Sequence, residues 1–549
     1  MRAKRYLEQR LQDIIQAWGY VWPEKAQVEP PREAGLGDLA SNLAMVLASR
    51  AGKNPRELAQ DISSQILDQP GEVQSVQVAG PGFLNFTLKP SFWQGAVARV
   101  LEQGSDFGSC ELGQKQKVLV EYVSANPTGP LHIGHGRGAA VGDSLVRILD
   151  FAGYQVQSEY YLNDAGRQIT ILGQSVWLRY QQVCGLEAQL SGELYQGKYI
   201  LDLARELYQA RGRELLQLEI EQALRICREH ALQGILAGIK QDLENFRVRH
   251  QSWFNESSLE DVLPETLQEL QESGLAYEQD GALWFKSNVF GDDKDRVLRK
   301  SNGELTYFAS DIAYHSQKFS RGYDWLVDVW GSDHHGYVPR MKAAIQALDR
   351  RPGELQVVLI QLVNLLRAGQ QVTMSTRAGE FVTLAQVCAE VGVDAARFIF
   401  LSRKSDSPLD FDLELLKTQS MENPVYYVQY AHARICSVLR KARDAGLQEE
   451  ASQEGILAFL DTEDDLEILQ QLEQFPQTVQ AAARTLSPHH VSYYLLELAG
   501  KLHRYYNRQQ ILDLEQPGLS QARLLLVRAV ARVLANGLNL LGVEAPQEM

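Results

Sequence analysis

Residues 117–153 constrain the fold more than any other stretch of the chain. Residues 118–123 form an apolar, β-branched run that predicts a buried strand. A loop rich in proline and glycine follows, and then apolar residues recur at helical spacing up to Gly153, which can end a helix. A strand that leads through such a loop into a helix start directs free backbone N–H groups and the positive end of the helix dipole toward an anion. The stretch therefore predicts a βα unit that binds phosphate.

Two histidines, His132 and His135, stand at the predicted helix start, with Gly134 and Gly136 beside them. Imidazoles three residues apart at one end of a helix can both donate hydrogen bonds to the same anion. The alternative is a plain βα unit in which the histidines are incidental. Because glycines separate and follow the histidines directly behind the loop, we favour a nucleotide-phosphate site.

Composition limits the classes of function. The formal net charge of −15 over 549 residues argues against non-specific binding to nucleic acid, although a local basic surface can still contact RNA phosphates. Five scattered cysteines without a CxxC pair indicate neither structural zinc nor a disulfide framework, and they predict a reducing, cytoplasmic location. No apolar run is long enough to span a bilayer, so no membrane association is expected.

Helix and strand patterns divide the chain into three predicted domains. Residues 1–110 form a small α+β domain, in which Asp38 is the predicted N-cap of the second helix. Residues 111–420 predict a doubly wound, Rossmann-like parallel sheet with a helical insertion at about 168–250. Residues 421–549 predict an all-α helical bundle. Further strands of the central domain are predicted at residues 156–162, 282–285, 297–298, 305–309, 325–329, 357–363 and 382–384.

The run His132-Ile133-Gly134-His135 is similar to the HIGH motif of class I aminoacyl-tRNA synthetases. Three longer stretches, residues 124–142, 306–315 and 425–434, resemble arginyl-tRNA synthetases in particular. The resemblance implies a ligase that uses ATP and Mg²⁺ to activate L-arginine to arginyl-adenylate, and then transfers arginine to the 3′-terminal ribose of tRNA-Arg. It also implies an N-terminal domain that contacts the outer corner of the tRNA and a C-terminal domain that binds the anticodon. We expect a monomer.

Amino-acid activation depends on positioning and on donors near the ATP phosphates rather than on covalent help from the protein. We therefore assign His132 and His135 to stabilising the transition state. Gly134 and Gly136 are predicted to let the nucleotide approach the backbone closely. These four residues form the first half of the predicted ATP site.

A second loop resembles the family's KMSKS loop, but Thr373 and Thr376 stand where two lysines usually lie. The resemblance implies that Met374 and Ser375 contact ATP, and that Ser375 and Arg377 are catalytic. Arg377 is the cation inside this motif, so its loss is expected to slow activation far more than it weakens arginine binding.

The missing lysines leave open what neutralises the β- and γ-phosphates. Arg367 or Lys117 could add positive charge, and Mg²⁺ must neutralise a larger share of the charge on these phosphates. Under this interpretation His132 and His135 also stabilise more of the developing charge than they do in relatives.

The amino-acid pocket must hold a planar guanidinium, which calls for carboxylates. Asp311 is the predicted guanidinium partner by resemblance, although without the resemblance it is more typical of a helix cap. The run Asp333-His334-His335 has no further ligand spaced to complete a metal site, so no metal is predicted there. The predicted arginine site comprises Ser124 and Asn126 at the ammonium and carboxylate end, Glu278 as a second carboxylate, and Tyr307, Asp311, Asp333 and His334.

Basic residues interleaved with tyrosines occur on the C-terminal helices, a pattern that can meet phosphates and stack on splayed bases. The alternative is a solvated basic face of a helix bundle. The resemblance favours tRNA contact, and the predicted tRNA-binding residues are Tyr430, Arg434, Arg440, Tyr505 and Arg508.

Two other functions remain open at this point. Another class I synthetase, such as one for cysteine, would share the first motif, but clustered cysteines for zinc are absent from the sequence. A weakly catalytic relative that binds tRNA or nucleotide for regulation would explain Thr373 and Thr376.

Overall fold

The computed structural model describes residues 2–549 apart from residues 32, 34, 190, 373–381 and 448–454. Its N-terminal part packs helices against an antiparallel sheet of strand order β1-β2-β4-β3. The elements are α1 (Arg2–Ala17), β1 (Val28–Glu29), β2 (Leu39–Ser41), α2 (Leu43–Ala51), α3 (Pro55–Asp68), β3 (Val73–Ala79), β4 (Phe83–Leu88) and α4 (Pro90–Gln103).

The prediction that Asp38 caps the second helix is wrong. The N-cap of α2 is Asn42, and Asp38 precedes β2 instead. The Asp38 carboxylate accepts a hydrogen bond from the backbone N–H of Leu88 at 2.7 Å and another from the side chain of Gln470 at 2.6 Å. Asp38 therefore joins the N-terminal sheet to the C-terminal bundle, which its sequence neighbourhood does not reveal.

The central part begins with a strand, a helix and a second strand, as the sequence predicts, and continues into the helical insertion. Because helices cover both faces of its sheet, residues 118–120 of the first strand are buried throughout. The elements are β5 (Lys117–Glu121), α5 (Ile133–Phe151), β6 (Gln155–Leu162), α6 (Arg167–Val183), α7 (Lys198–Arg211), α8 (Ile220–Asn245) and β7 (Ser252–Asn255).

The rest of the central part completes this sheet and adds two small ones. The elements are α9 (Leu263–Glu272), β8 (Ala276–Gln279), β9 (Ala282–Phe285), β10 (Arg296–Arg299), α10 (Tyr307–Ser320), β11 (Trp325–Gly331), α11 (Val338–Ala347), β12 (Leu355–Ile360), β13 (Val363–Arg367), β14 (Gln370–Gln371), α12 (Leu384–Val391), α13 (Val393–Phe400), β15 (Leu409–Asp412) and α14 (Leu413–Lys417).

The main sheet has five parallel strands in the order β12-β11-β5-β6-β7. This is the doubly wound order, in which the chain moves outward in one direction from β5 and then in the other. The predicted Rossmann-like fold is therefore confirmed. Ligands of such sheets bind outside the carboxyl ends of the strands, where the order reverses, and here that point lies between β5 and β11.

Three strand predictions in this part were inaccurate. Residues 305–309 do not form a strand, because Thr306 is an N-cap and α10 begins at the next residue. Residues 382–384 instead contain the start of α12, where the Thr383 hydroxyl accepts from the N–H of Gln386. Residues 357–363 span two strands, β12 and β13, that belong to different sheets. Short apolar runs of this kind are compatible with either a strand or a helix start.

The C-terminal part is helical, as predicted, and α4 of the N-terminal part packs against it. Its helices are α15 (Pro424–Asp444), α16 (Glu463–Arg484), α17 (His489–Arg508) and α18 (Pro517–Leu540). None of the described helices combines the length and apolar character needed to cross a bilayer.

A fully buried arginine connects the C-terminal end of the chain to the central sheet. Arg397 on α13 donates to the backbone carbonyls of Leu541, at 2.9 Å, and Phe246, at 3.0 Å, and it pairs with Asp143 on α5. Gly542 leaves room for this side chain, since a Cβ there would lie 2.2 Å from a guanidinium nitrogen. The helix that begins at the predicted phosphate site is thus anchored at its middle to the C-terminal tail.

Candidate active site

The two histidines form a reciprocal cap at the N-terminus of α5. His132 is the N-cap, and its Nδ1 accepts from the backbone N–H groups of Gly134, at 3.1 Å, and His135, at 3.4 Å. His135 Nδ1 accepts in turn from the backbone N–H of His132 at 3.3 Å. The two rings are stacked with their centroids 3.6 Å apart. The cap thus holds both imidazoles in one orientation at the helix end.

These contacts define the charge and the tautomer of both rings. Burial lowers the pKa of His132 and lowers that of His135 to about 3, so both imidazoles are neutral at physiological pH. Because Nδ1 accepts a hydrogen bond in each ring, the proton of the neutral form is on Nε2. The two imidazoles can therefore stabilise developing charge as neutral N–H donors rather than as cations.

The glycines of this stretch differ in their surroundings, and Gly136 does not have the role that was predicted for it. A Cβ at Gly136 would lie 2.6 Å from Leu384 Cδ1, so this residue faces α12 inside the protein rather than a nucleotide. A Cβ at Gly142 would lie 2.1 Å from the ring of Tyr122, which allows α5 to pack closely on the end of β5. Among the described residues, the close neighbour of a Cβ at Gly134 would be the His132 ring. Gly134 remains the better candidate for contact with ATP.

The turn after β5 is strained and held by one hydroxyl. Val123 and Ser124 have φ values of 69° and 38°, a region that costs non-glycine residues about 1–3 kcal/mol each. Ser124 Oγ donates to Glu121 Oε1 at 2.9 Å and accepts from the backbone N–H of Tyr161 at 3.1 Å. The Ser124 hydroxyl therefore maintains the turn. Asn126 follows it and donates to Gln168 of the helical insertion at 2.9 Å.

The predicted guanidinium site lies in the first turns of α10. Tyr307 is the first residue of the helix and is 69% exposed, whereas Asp311, one turn later, is half-buried. The hydroxyl of Tyr337 donates to the Asp311 carboxylate. Burial raises the pKa of Asp311, although the hydrogen bond from Tyr337 opposes this. A cation beside Asp311 would relieve the cost of its burial.

A second carboxylate, Glu256, lies close enough to Asp311 for their charges to interact, and it was missed by sequence reasoning. It follows β7 directly, at the carboxyl edge of the sheet, and is hydrogen-bonded to Tyr161. Burial, followed by the negative charge of Asp311, raises the pKa of Glu256 to about 7. Two carboxylates that repel each other in this way provide a site for a cation. Its position just after a strand of the parallel sheet was the available signal.

Glu278, the predicted second carboxylate, lies elsewhere. It is on β8 of the small antiparallel sheet and forms an ion pair with Arg299 at 2.6 Å. The prediction relied on an acidic residue near a turn, and such residues commonly form surface pairs. The structure supports Glu256 in its place.

Asp333 and His334 lie on a turn of 3₁₀ helix, Ser332–Tyr337, that follows β11 at the reversal point of the sheet. Their side chains are 82% and 61% exposed, and His334 Nε2 is 3.6 Å from Asp333 Oδ2. They therefore border the edge where ligands of such sheets bind, and their contact with substrate remains a prediction. Within the described ranges, no three His, Cys, Asp or Glu side chains are grouped to hold a metal ion.

The second motif cannot be placed, since Thr373, Met374, Ser375, Thr376 and Arg377 lie outside the described residues. The roles predicted for Met374, Ser375 and Arg377 therefore remain predictions.

The alternative cations are poorly disposed to replace the missing lysines. Arg367 forms ion pairs with Glu390, at 2.8 Å, and Glu414, at 2.9 Å. Lys117 begins β5, so it lies at the edge of the sheet opposite to the carboxyl ends. The structure thus argues against Lys117 as a phosphate ligand.

The C-terminal helices carry an arginine and several tyrosines in contact. The Arg434 guanidinium lies 3.4 Å from the ring centroid of Tyr506, and Tyr430 stacks on Tyr426 with centroids 5.7 Å apart. Tyr505, in contrast, is 1% exposed and donates to Asp465 at 2.7 Å. Its ring is not available to stack on a base, so the prediction for Tyr505 is corrected, and Tyr506 is the better candidate.

Arg440 and Arg508 are at the surface, each beside an acidic residue. Arg440 lies 3.4 Å from Glu548, and Arg508 lies 3.0 Å from Asp464. Exposed pairs of this kind contribute about 0–1 kcal/mol. Both arginines can therefore exchange these partners for phosphates, as the sequence prediction requires.

Comparison with known proteins accounts for nearly the whole chain. The family model for the class I (R) tRNA synthetase catalytic domain matches residues 96–407. The model for the arginyl tRNA synthetase N terminal domain matches residues 2–88, and the DALR anticodon binding domain model matches residues 428–549.

Full-length relatives agree with these matches. Proteins named arginine–tRNA ligase from Nitratidesulfovibrio vulgaris strain DP4 and Oleidesulfovibrio alaskensis are 57% and 55% identical to the chain, with 100% of each chain covered. The structure of Thermus thermophilus arginyl-tRNA synthetase has the same fold, with a TM-score of 0.75 at 24% identity over 100% of both chains. The chain therefore belongs to the arginyl-tRNA synthetase family of class I aminoacyl-tRNA synthetases.

Proposed function

We propose that this chain is an arginine–tRNA ligase. It activates L-arginine with ATP to give arginyl-adenylate and pyrophosphate, and then transfers arginine to the 3′-terminal ribose of tRNA-Arg. The observation that carries the proposal is the pair of carboxylates, Asp311 and Glu256, on the same sheet edge as the histidine cap of α5. Donors for phosphate and acceptors for a guanidinium are the two kinds of group that this reaction needs.

In the activation step, a carboxylate oxygen of arginine forms a bond to the α-phosphorus of ATP, and the bond from that phosphorus to the bridging oxygen breaks. Negative charge increases on the phosphate oxygens as pyrophosphate leaves. The Nε2–H groups of His132 and His135 and the backbone N–H groups at the start of α5 are the donors we assign to this charge. Neutral donors suit this role because they add no charge that must be desolvated when ATP binds.

Mg²⁺ enters this scheme as part of the substrate, MgATP. Mg²⁺ prefers phosphate oxygens and water with one or two carboxylates rather than a dedicated protein cage. Met374, Ser375 and Arg377 complete the nucleotide site in this proposal.

The guanidinium is bound between Asp311 and Glu256. Carboxylates accept two parallel hydrogen bonds from a guanidinium, which a lysine ammonium cannot supply in the same plane. Tyr161 and Tyr337 hold the two carboxylates by hydrogen bonds. Tyr307 is the exposed side chain on the same helix, so it can cover the bound substrate.

For tRNA-Arg we propose a contact surface formed by Tyr430, Arg434, Arg440, Tyr506 and Arg508. Arg434 lies over an aromatic ring, and the other arginines form exposed contacts, namely ion pairs with Glu548 and Asp464 and a hydrogen bond from Arg440 to the carbonyl of Gln547, so phosphate contact costs them little. We also propose that the domains span residues 1–110, 111–420 and 421–549, and that the protein acts as a monomer in the cytoplasm.

The test is ATP–pyrophosphate exchange, run with each amino acid in turn and with or without tRNA-Arg. We expect that arginine is the one amino acid that supports exchange. The family resemblance also predicts that exchange with arginine requires bound tRNA-Arg. Exchange with another amino acid would reassign the substrate. Absence of exchange under every condition, together with retained tRNA binding, would favour the regulatory alternative.

A further inference from the structure

The most unusual charged group outside the reacting centre is Lys318, which is fully buried on α10. Its Nζ donates to Glu121 Oε2 at 2.5 Å and to Asp328 Oδ1 at 2.9 Å. Glu121 ends β5 and lies opposite Asp328 on β11 in the parallel register. Burial favours the neutral amine, but the two carboxylates raise the pKa of Lys318, so the ammonium holds these two strands to the helix.

Each carboxylate continues the network toward one end of the proposed arginine site. Glu121 Oε1 accepts from the hydroxyl of Ser124 at 2.9 Å, in the left-handed turn after β5. Asp328 Oδ2 is 2.9 Å from His315 Nε2, and His315 Nδ1 is 2.7 Å from the backbone carbonyl oxygen of Asp311. One continuous set of contacts therefore joins the turn at Ser124 to the backbone of Asp311.

We propose that Lys318 is a positioning residue that sets the length of the amino-acid pocket. It holds α10, and with it Asp311, at a fixed separation from the turn that carries Ser124. The inference rests on the proposed function, in which arginine is bound by its guanidinium at one end and by its ammonium and carboxylate at the other. Lys318 contacts no substrate; it acts through Glu121 and Asp328.

A fixed pocket length matters for this substrate in particular. Arginine is long and flexible, and a displacement of about 1 Å between its two binding points can lower the rate about 100-fold. ATP does not bridge the two points, so its binding should depend little on their separation. A positioning role therefore predicts a selective effect on arginine, whereas a purely structural role predicts equal effects on both substrates.

The first variant is Lys318→Met, assayed in the full-length protein by ATP–pyrophosphate exchange with tRNA-Arg present. We expect the KM for arginine to rise by about 30- to 100-fold, while the KM for ATP changes by less than about 3-fold. The preference for arginine over lysine should also decrease, because the pocket no longer fits one length. Lysine binding is measured as the inhibition constant of lysine in competition with arginine in the exchange assay.

Removal of one partner from a buried ion pair is strongly destabilising, so Lys318→Met can fail to fold. A second variant therefore tests the same network. Glu121→Gln keeps the side-chain shape, but it replaces one of the two oxygens, which accept separately from Lys318 and Ser124, with an NH2 group that cannot accept. We expect the same selective rise in the KM for arginine, by about 10-fold, with the network broken at one link.

Arg321→Met is the matched control. Arg321 is the C-cap of the same helix and pairs with a buried carboxylate, Glu159 on β6, at 2.5 Å and 2.7 Å. Glu159 also accepts from the hydroxyl of Tyr314, whose ring centroid lies 4.3 Å from Lys318 Nζ, but neither side chain of the pair has a described hydrogen bond to Ser124, Glu121, Asp328 or Asp311. We expect a lower melting temperature in this variant, with the ratio of the two KM values unchanged within about 3-fold.

The outcomes separate the two proposals. An equal rise in both KM values, no rise in Glu121→Gln, or the same arginine-selective rise in Arg321→Met would overturn the positioning role. Failure of the wild-type protein to exchange with arginine would instead refute the proposed function. If the wild-type protein exchanges normally and the variants have an unchanged KM for arginine, only the role of Lys318 is refuted.

Discussion

The starts of helices α5 and α10 both lie at the carboxyl edge of the parallel sheet, but they are built in different ways. At α5 the chemistry is contained in four consecutive residues, because His132 and His135 cap each other's backbone. At α10 the groups come from separate segments, since Asp311 lies near Glu256, which follows β7, and accepts a hydrogen bond from Tyr337, which precedes α11. The first site is local in sequence, and the second exists only in the folded chain.

This difference has a consequence for how each site responds to change. A local cap orients its donors through backbone hydrogen bonds that form with the helix itself. The carboxylate pair depends on the packing of several strands and on buried charges such as Lys318. Substitutions at α5 should therefore affect the chemical step, whereas those around α10 should affect recognition of arginine.

The largest expected effect is at the histidine cap. Removal of one preorganised donor commonly costs about 100- to 1,000-fold in rate, so His135→Ala should lower kcat of arginine-dependent exchange by that factor. His132→Asn serves as the matched variant, because asparagine is a good N-cap but lacks the Nε2–H donor. It should retain its thermal stability and still lose the rate. Rate losses below 10-fold in both variants would contradict the donor role.

The next effect concerns the carboxylate pair. Hydrogen bonds to charged groups contribute about 1.5–3 kcal/mol, so Asp311→Asn and Glu256→Gln should each raise the KM for arginine by about 10- to 100-fold. The KM for ATP should change little. Glu278→Gln is the control, because Glu278 is paired with Arg299 on another sheet. If the KM for arginine rises in Glu278→Gln and in neither of the other two variants, Glu278 is the second carboxylate of the site and Glu256 is not.

A smaller effect is expected from pH. The pKa of Glu256 is about 7 in the unliganded protein, and a bound guanidinium favours its ionised form, so arginine binding should release protons near and below pH 7. Arginine affinity should therefore fall as the pH is lowered from about 8 to 6, by at most about 10-fold per unit. Calorimetry in buffers of different ionisation enthalpy measures the released protons.

The same group gives a stability effect of defined sign. Because the folded-state pKa of Glu256 lies above its ordinary value of 4.5, its protonated form favours the fold, and this contribution is lost as the pH rises from about 4.5 to 7. Glu256→Gln should remove both pH dependences. An unchanged pH profile of arginine affinity in that variant would exclude Glu256 as the titrating group.

The smallest effect is expected on the C-terminal surface. Arg434→Ala should raise the KM for tRNA-Arg by about 10-fold and leave the KM values for arginine and ATP unchanged. The dependence of tRNA affinity on salt should also weaken, by about 0.7–0.9 in the log–log slope for each lost phosphate contact. A tRNA affinity equal to that of the wild type would place the anticodon contact elsewhere.

Much of the fold could be predicted from the sequence because its signals are local. The apolar run at residues 118–123, the helical spacing after His132 and the polar helical stretch from residue 168 correspond to β5, α5 and the insertion. The errors occurred where local signals are ambiguous. Residues 305–309 are apolar enough for a strand, and only the cap at Thr306 makes them the start of a helix.

The site residues also fall into those that local sequence signals indicate and those that only tertiary packing decides. His132 and His135 were predicted from their spacing beside glycines and from the resemblance to the HIGH motif, and the structure adds their neutral charge and their tautomer. Glu256 was missed and Glu278 was preferred, because β7, the strand that Glu256 follows, was not among the predicted strands. Tyr505 and Tyr506 are adjacent in sequence, yet only the packing of the bundle decides that the first is buried.

The sequence by itself determined the family, the order of strands and helices around the first motif, and the residues of the α5 cap. The family was indicated by the resemblance of short motifs, whereas the other two features depend on residues close together in the chain, whose periodicity and hydrogen-bonding chemistry are visible without a fold. The tertiary structure alone decided which carboxylates face one another, which charged groups are buried, and how Lys318 links Ser124 to Asp311. Those properties arise from desolvation and from contacts between distant segments, and neither can be calculated until the strands are in place.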